Sequence, residues 1–266
     1  MQEIIQSRQN PRVKMLSKLQ ERSGRRDLGR FAIEGLRELQ RAILAETPIE
    51  EIYFCPELFK SKEHNSFIET LPENIELCQL GKSAFEKVSN RQGCDGILAV
   101  SLQWSTQLSD IEFNPNMPTL ILIAVGIEKP GNLGALLRSA NAVKADAVIL
   151  ADSVVDLFNP AVIRSSQGAL FSMQIANASH KDTVKFLDKH NIKPCAMALQ
   201  NSNIIWQQDL SGSIAIIVGS EKDGLSQEWI ESSATIKLPM YDSADSLNVN
   251  VAAAIALYEK RRIDAL

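Results

Sequence analysis

The chain has 266 residues and a net charge of −4 at pH 7, with 45% hydrophobic and 23% charged residues. A chain of this length and composition can bury one large or two small cores, which excludes wholesale disorder. It has no apolar run of about 20 residues, as a membrane span requires, and its first residues lack the apolar core of a secretory signal, so we expect a soluble, cytoplasmic protein.

The cysteines and histidines give little support for a disulfide framework, a metal site or a catalytic triad. Four cysteines are scattered without a C-x-x-C pair, which favours buried free thiols: Cys55, Cys78, Cys94 and Cys195. Three histidines lie in polar stretches, which favours solvated positions: His64, His180 and His190. We therefore expect no bound metal.

The first 44 residues are basic, although the chain as a whole is acidic. They hold ten Lys or Arg against five Asp or Glu, a local charge of +5, which leaves −9 for the rest. The basic residues are Arg8, Arg12, Lys14, Lys18, Arg22, Arg25, Arg26, Arg30, Arg37 and Arg41. An exposed basic segment would steer a polyanion to one face of the protein, but a solvated helix face gives the same pattern, and charge alone does not decide between them.

Helix and strand signals are mixed over the first part of the chain. The expected elements are helices over Arg12–Gln20 and Gly35–Ala45 and strands over Glu51–Phe54 and Gly96–Val100. From Gln103 to Pro118, polar residues and two prolines interrupt the apolar pattern. We place a domain boundary there, between a smaller domain at 1–106 and a second domain at 107–266.

In the second domain, predicted strands alternate with predicted helices. The strands are Thr119–Val125, Asp146–Ala151, Pro194–Leu199 and Ile214–Val218, and the helices are Leu133–Lys144, Lys181–His190 and Ser246–Arg262. This alternation predicts a largely parallel sheet covered on both faces. Ligands of such sheets bind beyond the carboxyl ends of the strands, so a site is expected in the loops that follow them.

The first candidate loop, IEKPGNLGALLR, follows the first of these strands. Pro130 and two glycines permit a tight turn, Asn132 can cap the next helix, and Arg138 falls in the second turn of that helix. The glycine spacing fits neither a dinucleotide-binding motif nor a P-loop. A capped turn with a surface arginine would explain this loop without any ligand.

Two further loops follow later strands. In VGSEKDGLS, Gly219 would let a ligand approach the backbone, and Glu221 places a carboxylate at the end of a strand. In LPMYDSADSLNVNVAAAIALY, Ser246 is a plausible N-cap for a long helix of small apolar residues. Taken separately, a simple turn explains the first of these segments, and helix capping with core packing explains the second.

Together and in this order, the three segments resemble the signature motifs of the SpoU (TrmH-like) family of RNA ribose 2'-O-methyltransferases, in the SPOUT superfamily. The matching pieces are PGNLGALLRSA, VGSEKDGLS and LPMYDSADSLNVNVAAAIALYE. The N-terminal IIQSRQNPRVKMLSKLQERSGRRDLGRFAIEGLRELQRAI resembles the substrate-binding domain often fused in front of this family's catalytic domain. The resemblance implies a trefoil-knotted parallel-sheet domain preceded by a smaller α/β, ribosomal-protein-L30e-like domain.

The resemblance also implies a cofactor and a site. S-adenosylmethionine would be held, chiefly by backbone groups, at Gly219, Leu238, Met240 and Leu247. The polar reaction site would consist of Asn132, Arg138, Glu221, Ser246 and Asn248. These groups would transfer a methyl group to a ribose 2'-hydroxyl of structured RNA, in a homodimer whose site borrows from both subunits. The N-terminal domain favours rRNA over tRNA as substrate.

The role of Arg138 has two possible versions. The family's mechanisms make this arginine a general base, but a guanidinium pKa above about 12 favours orientation of the hydroxyl and stabilisation of developing negative charge. Three residues depart from the family's frequent choices: Lys129, Asp242 and Asn250. Asp242 leaves the shape of the cofactor loop open.

Two other classes of function compete with this hypothesis. An RNA-binding module could keep the fold without catalysis, although the presence of all five polar residues argues against this. An α/β enzyme that acts on small nucleotides would leave the basic N-terminal segment unexplained.

Overall fold

The computed structural model of the chain describes residues 4–72, 74–91, 93–199, 202–242 and 246–265. It divides into two compact units. Unit 1 comprises Met1–Trp104 and Asp156–Ser172, and unit 2 comprises Ser105–Val155 and Met173–Leu266. The sequence pattern assigned Asp156–Ser172 to the second domain, whereas its contacts group it with unit 1. The domain boundary between residues 106 and 107 stays a prediction.

Unit 1 contains a four-stranded mixed sheet. Its elements within residues 4–104 are α1 (Pro11–Lys18), α2 (Arg22–Leu28), β1 (Arg30–Glu34), α3 (Leu36–Leu44), β2 (Ile49–Phe54), α4 (Glu63–Glu69), β3 (Glu76–Gln79), α5 (Lys82–Val88) and β4 (Ile97–Leu102). The strand order is β1-β4-β2-β3, with β4 antiparallel to both its neighbours and β2 parallel to β3. The four elements predicted for this region are confirmed, with ends shifted by at most two residues.

Local signals set the ends of the first two helices. Asn10 precedes α1, and its Oδ1 accepts a hydrogen bond from the backbone N–H of Arg12 at 2.9 Å. Pro11 takes the first helical position. A backbone N–H at this position has no acceptor within the helix, so its absence in proline costs no hydrogen bond. α2 ends at Gly29, whose φ of 60° is left-handed and strains residues with a side chain.

Unit 2 contains a seven-stranded parallel sheet. The elements from residue 105 onward are β5 (Leu120–Val125), α6 (Pro130–Ala142), β6 (Ala147–Ala151), α7 (Pro160–Ser166, in unit 1), β7 (Gln174–Ala178), α8 (His180–Lys189), β8 (Lys193–Met197), β9 (Asn203–Ile204), β10 (Ile214–Val218), α9 (Gln227–Glu231), β11 (Ala234–Lys237) and α10 (Val249–Asp264). The strand order is β7-β6-β5-β10-β8-β11-β9, and every neighbouring pair is parallel. The predicted α/β fold is confirmed. The trefoil knot and the ribosomal-protein-L30e-like character of the first domain stay predictions.

The central strands of unit 2 consist of packing residues. Every residue of β5, β6 and β10 is buried, as expected for parallel strands that are covered on both faces. Polar side chains have no place along such strands. The candidate motifs therefore fall on the loops and helix starts that follow them.

A buried ion pair holds the segment Asp156–Ser172 in unit 1. Arg25 on α2 is only 1% exposed, and its Nε donates to Oδ2 of Asp156 at 2.7 Å. Its Nη1 donates to the carbonyl oxygens of Leu19 and Gln20, at 2.9 Å each. A buried guanidinium is costly unless it is paired and hydrogen-bonded, and here both conditions are met.

An aromatic cluster packs beside this ion pair. The ring centroid of Phe158 lies 4.8 Å from those of both Phe31 and Trp104. The ring of Phe171 stacks on that of Phe31 at 6.5 Å. Aromatic pairs in these arrangements stabilise beyond their buried area, so the cluster and the ion pair together fix the segment in unit 1.

The prediction made for the cysteines is confirmed, whereas the one made for the histidines fails for His64. All four cysteines are buried and free, as predicted, and burial raises the pKa of Cys195 to about 11. The prediction of a solvated histidine is wrong for His64, which is 4% exposed and stacks on Phe59. Its Nε2 lies 3.7 Å from Oδ2 of Asp95, a contact across the fold that a polar stretch of sequence does not indicate. In the described part of the chain, no helix is long and apolar enough to cross a membrane.

Candidate functional site

Unit 2 has a pocket of about 890 Å³ where β8, β10 and β11 reach their carboxyl ends. The loop after β10 and the start of α10 complete its walls. Eight of the nine predicted site residues line it: Asn132, Gly219, Glu221, Leu238, Met240, Ser246, Leu247 and Asn248. The fold therefore brings together residues from all three candidate motifs.

The loop after β10 closes on itself. The backbone N–H of Ser220 donates to the carbonyl of Gly224 at 3.2 Å, and the N–H of Gly224 donates back to the carbonyl of Ser220 at 3.1 Å. A Cβ on Gly219 would lie 2.2 Å from the backbone carbon of Gly224 and 2.6 Å from the nitrogen of Leu225. The loop's own backbone therefore requires a glycine at position 219, and the expectation that Gly219 lets a ligand approach the backbone stays a prediction.

The start of α6 positions Asn132 differently from the sequence prediction. Lys129 is the N-cap residue, without a side-chain cap, and Pro130 is the first helical residue, so Asn132 lies within the first turn. The Oδ1 of Asn132 accepts a hydrogen bond from Nδ2 of Asn250 at 3.0 Å. The prediction that Asn132 caps the helix is wrong, since the proline starts the helix earlier than the apolar pattern suggested.

The start of α10 also differs from the prediction. Asn248, and not Ser246, is the N-cap, and its Oδ1 accepts from the backbone N–H of Asn250 at 2.9 Å. Ser246 is exposed, lies two residues before the cap and lines the pocket. Because Asn248 caps the helix, the hydroxyl of Ser246 is free to make other contacts. A capping role for Ser246 would have occupied that hydroxyl.

Arg138 is the one predicted site residue that does not line the pocket. It is exposed and lies in the third turn of α6, one turn later than predicted. It follows Asn132 by six residues, which is about 9 Å along a helix and about 120° around it. The two side chains therefore leave different faces of α6.

Several lining residues were not singled out from the sequence. Met197, Ile230 and Ile236 add apolar surface, and Lys237 adds a cation to those of Lys129 and Lys222. Met197 and Ile236 belong to the ends of β8 and β11. The rule that ligands bind beyond strand ends would have found Met197, but β11 is too short to be predicted from its pattern. Asp242, the departure that left the cofactor loop open, is exposed and does not line the pocket.

The pocket fits S-adenosylmethionine. Its volume is within the range of about 300–1,000 Å³ typical of cofactor sites, which combine apolar walls with a few polar groups. The side chains of Leu238, Met240 and Leu247 provide apolar walls, while Asn132 and Asn248 provide amides. Among the described residues, no three His, Cys, Asp or Glu side chains are grouped as a metal site would require.

Comparison with known families agrees with this geometry. The profile described as the SpoU rRNA Methylase family matches residues 119–258, more than half of the chain. The chain belongs to this family. A second profile, the MRM3-like substrate binding domain, matches residues 10–99. The resemblance inferred from the three motifs and from the N-terminal segment is confirmed.

Full-length relatives extend the similarity over both units. The 23S rRNA (guanosine(2553)-2'-O)-methyltransferase RlmP of Bacillus subtilis is 30% identical, with 97% of this chain and 98% of that protein covered. A crystal structure of an RNA 2'-O ribose methyltransferase is 37% identical over 99% of this chain and 100% of that chain, with a TM-score of 0.85. The AdoMet-bound rRNA methyltransferase of Sinorhizobium meliloti, at 24% identity, 98% coverage of both chains and a TM-score of 0.87, shows the shared fold.

Proposed function

We propose that this protein transfers the methyl group of S-adenosylmethionine to a ribose 2'-hydroxyl of structured RNA, with rRNA as the favoured substrate. The convergence of three separate motifs on one pocket in unit 2 carries this proposal. The Bacillus subtilis relative, which covers 97% of this chain, acts on 23S rRNA, and this supports the choice of RNA class. A cytoplasmic location forms part of the same proposal.

In this reaction the cofactor supplies an electrophilic methyl group on a sulfonium. The protein binds the cofactor, orients the ribose hydroxyl and stabilises negative charge as the proton is lost. The backbone around Gly219, Leu238 and Leu247 holds the cofactor. Glu221, exposed at the rim of the pocket, accepts a hydrogen bond from the substrate nucleotide.

Arg138 completes the site from a second subunit of a homodimer. Within one chain Arg138 does not line the pocket, so a second subunit would have to bring its guanidinium there. α10 offers a surface for pairing, because Val251 and Tyr258 are 48% and 57% exposed and lie seven residues apart. Residues at this spacing share one helix face, and exposed apolar faces of this kind mark protein interfaces.

RNA recognition is assigned to unit 1. Of the ten basic residues in its first 44, Arg25 is buried and Arg12 and Arg30 are partly buried in pairs with Glu76 and Glu50. The other seven are exposed: Arg8, Lys14, Lys18, Arg22, Arg26, Arg37 and Arg41. An exposed basic segment of this kind binds phosphates and releases their counterions.

A cavity in the same unit suits one phosphate group of the bound RNA. It measures about 210 Å³ and is lined by Gln20, Glu34, Asn90, Arg91, Asn159, Pro160, Ala161 and Arg164. Arg91 is ordered before any ligand arrives, since its Nη2 donates to the carbonyl of Glu34 at 2.7 Å. Arg164 is exposed at the same cavity and presents a second guanidinium.

The deciding experiment supplies the purified protein with S-adenosylmethionine carrying a labelled methyl group. Total RNA, isolated rRNA, tRNA and free nucleosides are offered separately. Label that appears in rRNA, at a position resistant to alkaline cleavage, is expected and identifies ribose methylation. Label only in tRNA, only in nucleosides, or in nothing would instead support the tRNA enzyme, the small-nucleotide enzyme or the silent RNA-binding module, respectively.

Subunit mixing tests whether Arg138 acts across a dimer. Arg138→Ala and Asn248→Ala are each expected to be inactive alone. When they are co-expressed with different tags and purified as a mixed pair, one of the two sites regains both residues if Arg138 comes from the partner subunit. Recovery of activity toward half of the wild-type rate is expected; a mixed pair as inactive as its parents would place Arg138 and Asn248 in the same chain.

A further inference from the structure

Asn250 connects two motifs that are far apart in the sequence. Its Nδ2 donates to Oδ1 of Asn132 at 3.0 Å and to Oδ1 of Asn248 at 2.9 Å. Asn132 lies in the first turn of α6, and Asn248 caps α10. A single amide group of Asn250 thus bridges the two helices that meet at the pocket.

This network fixes the orientation of three side-chain amides. The backbone N–H of Asn250 can only donate, so the atom of Asn248 that it contacts at 2.9 Å must be the oxygen. The group of Asn250 that faces the same oxygen must then be its nitrogen. That nitrogen also faces Asn132, which must therefore present its own oxygen.

The remaining amide groups follow from this order. With both oxygens turned to Asn250, Asn132 and Asn248 direct their NH₂ groups away from it, and both residues line the pocket. Among the residues that the structure describes, the Oδ1 of Asn250 is buried without a hydrogen-bond partner. A buried unpaired acceptor is unfavourable. The two hydrogen bonds that the nitrogen of Asn250 donates offset this free-energy cost.

We infer that Asn250 is a positioning residue, which sets the Asn132 and Asn248 amides so that two NH₂ donors face the reacting nucleotide. The inference rests on the proposed function, because the acceptors that we assign to these two NH₂ groups are oxygen atoms of the RNA substrate. Neutral amides cannot take up the hydroxyl proton. They can stabilise an oxygen as negative charge develops on it, provided that their orientation is set in advance.

Asn250→Asp separates this role from a contribution to folding. Asn250 is the second residue of α10, where its backbone N–H still bonds to the cap and where a carboxylate is favourable for the helix. If the bridge only holds the two helices together, Asn250→Asp should lower the melting temperature and leave the methyl-transfer rate normal at temperatures where the variant is folded. The positioning role predicts a loss, because carboxylate oxygens face the oxygens of Asn132 and Asn248 and force at least one amide to turn.

The expected result for Asn250→Asp is a single-turnover methyl-transfer rate at least about 30-fold below wild type, with the dissociation constant for S-adenosylhomocysteine changed by less than about threefold. Asn250→Ser keeps one donor and is expected to retain most of the rate. Asn116→Asp, an exposed amide in unit 2, controls for the added charge. An Asn250→Asp enzyme as fast as this control would overturn the inference.

A measurement without catalysis separates this inference from the proposed function. In ¹⁵N-labelled protein, the side-chain NH₂ signals of Asn132 and Asn248 are assigned by substitution of each residue. Both pairs of signals are expected to shift in Asn250→Asp and to keep their positions in Asn116→Asp. Unshifted signals overturn the inference. Shifted signals from a protein that methylates no RNA would overturn the proposed function and leave the amide orientation established.

Discussion

Arg25 in unit 1 and Arg138 in unit 2 have opposite surroundings. Arg25 is 1% exposed, pairs with Asp156 and bonds to two carbonyl oxygens. Arg138 is exposed, and within the described residues it has no ion pair or hydrogen bond. The first guanidinium is bonded within its own chain at each of its three nitrogens, whereas the second has its five N–H donors available for other molecules.

The same contrast extends to other charged groups of the two units. In unit 1, Glu76 accepts from Arg12, and Glu50 accepts from Arg30 and has its pKa lowered by that bond. At the pocket of unit 2, Glu221 is exposed, and no ion pair to it is found in the described part of the chain. Charge that a fold has already paired contributes to stability, and charge that it leaves unpaired at a concave site is available for binding and chemistry.

The largest effect is expected from breaking the paired charge. Asp156→Ala leaves the Arg25 guanidinium buried without its counter-ion, and such losses amount to about 3–5 kcal/mol in the free energy of unfolding. Denaturant titration measures this change. Asp27→Ala, which removes the partner of the exposed Arg26, serves as control and should change stability by less than about 0.5 kcal/mol.

A repair variant keeps this test valid even if Asp156→Ala fails to fold. Arg25→Met combined with Asp156→Leu replaces the ion pair with apolar side chains and should recover most of the stability. Stability of the single variant equal to the Asp27→Ala control would show that the ion pair does not hold the segment Asp156–Ser172.

Removal of the unpaired charge should leave the fold intact and abolish the chemistry. Arg138→Ala is expected to lower the single-turnover rate of methyl transfer by about 100- to 1,000-fold, the usual cost of one charge-stabilising donor. The melting temperature and the affinity for S-adenosylmethionine should stay near those of wild type. Lys185→Ala removes an exposed cation from α8 and is the control. A near-normal rate would remove Arg138 from the site.

Deletion of residues 1–106 tests the division of labour between the units. All lining residues of the pocket belong to unit 2, so calorimetric affinity for the cofactor should persist in the truncated dimer. RNA affinity should fall more than about tenfold, and its salt dependence should flatten, because each lost phosphate contact removes about 0.7–0.9 from the slope of log K against log salt. Unchanged RNA binding would show that the basic residues among the first 44 form a solvated helix face and do not recognise RNA.

The truncation also tests the position of the domain boundary. It leaves Phe158 and Phe171 without Phe31 and Trp104, their partners in the aromatic cluster. We expect the truncated protein to be poorly soluble and the double substitution Phe158→Ser, Phe171→Ser to restore its solubility.

A single substitution in the full chain tests one of the proposed phosphate contacts. Arg164→Ala should lower the slope of log K against log salt by about 0.7–0.9, the contribution of one phosphate contact. The rate of methyl transfer at saturating RNA should stay unchanged.

The smallest effect is expected at the thiols. Burial raises the pKa of Cys195 to about 11 and that of Cys78 to about 11, so about one thiol in a thousand is ionised at pH 8. Because the thiolate is the reactive form, alkylation of the native protein by iodoacetamide should be negligible at pH 8 and complete after unfolding. Rapid labelling of the native protein would contradict the burial of these side chains.

The sequence by itself determined the class of fold and the loops that line the candidate pocket. Apolar runs alternating with helical periods specified a parallel sheet, since these patterns are local and require no knowledge of distant contacts. Because ligands bind beyond strand ends, the loops around Asn132 and Gly219 could be identified as candidates from their positions after predicted strands. The segment around Asn248 could be identified from its capping residues and the small apolar helix that follows them. The order of the three motifs then indicated the family.

Local signals were less reliable for the first turn of each helix. α6 begins at Pro130, and Asn248 is the N-cap of α10. By sequence pattern alone, other nearby residues could begin or cap these helices equally well. The prediction chose Asn132 and Ser246 as caps, and the structure gives both a position in the pocket. Which candidate caps a helix depends on backbone geometry at the loop, which neighbouring elements impose.

Only the tertiary structure decided the contacts between distant residues. Asn250 meets Asn132 across 118 residues of sequence, and Arg25 meets Asp156 across 131. Gly219 owes its identity to the backbone of Gly224, which reaches it only when the loop has folded back. Local propensity carries no information on such pairs, because their free energy is gained when the packed core brings the two chain segments together.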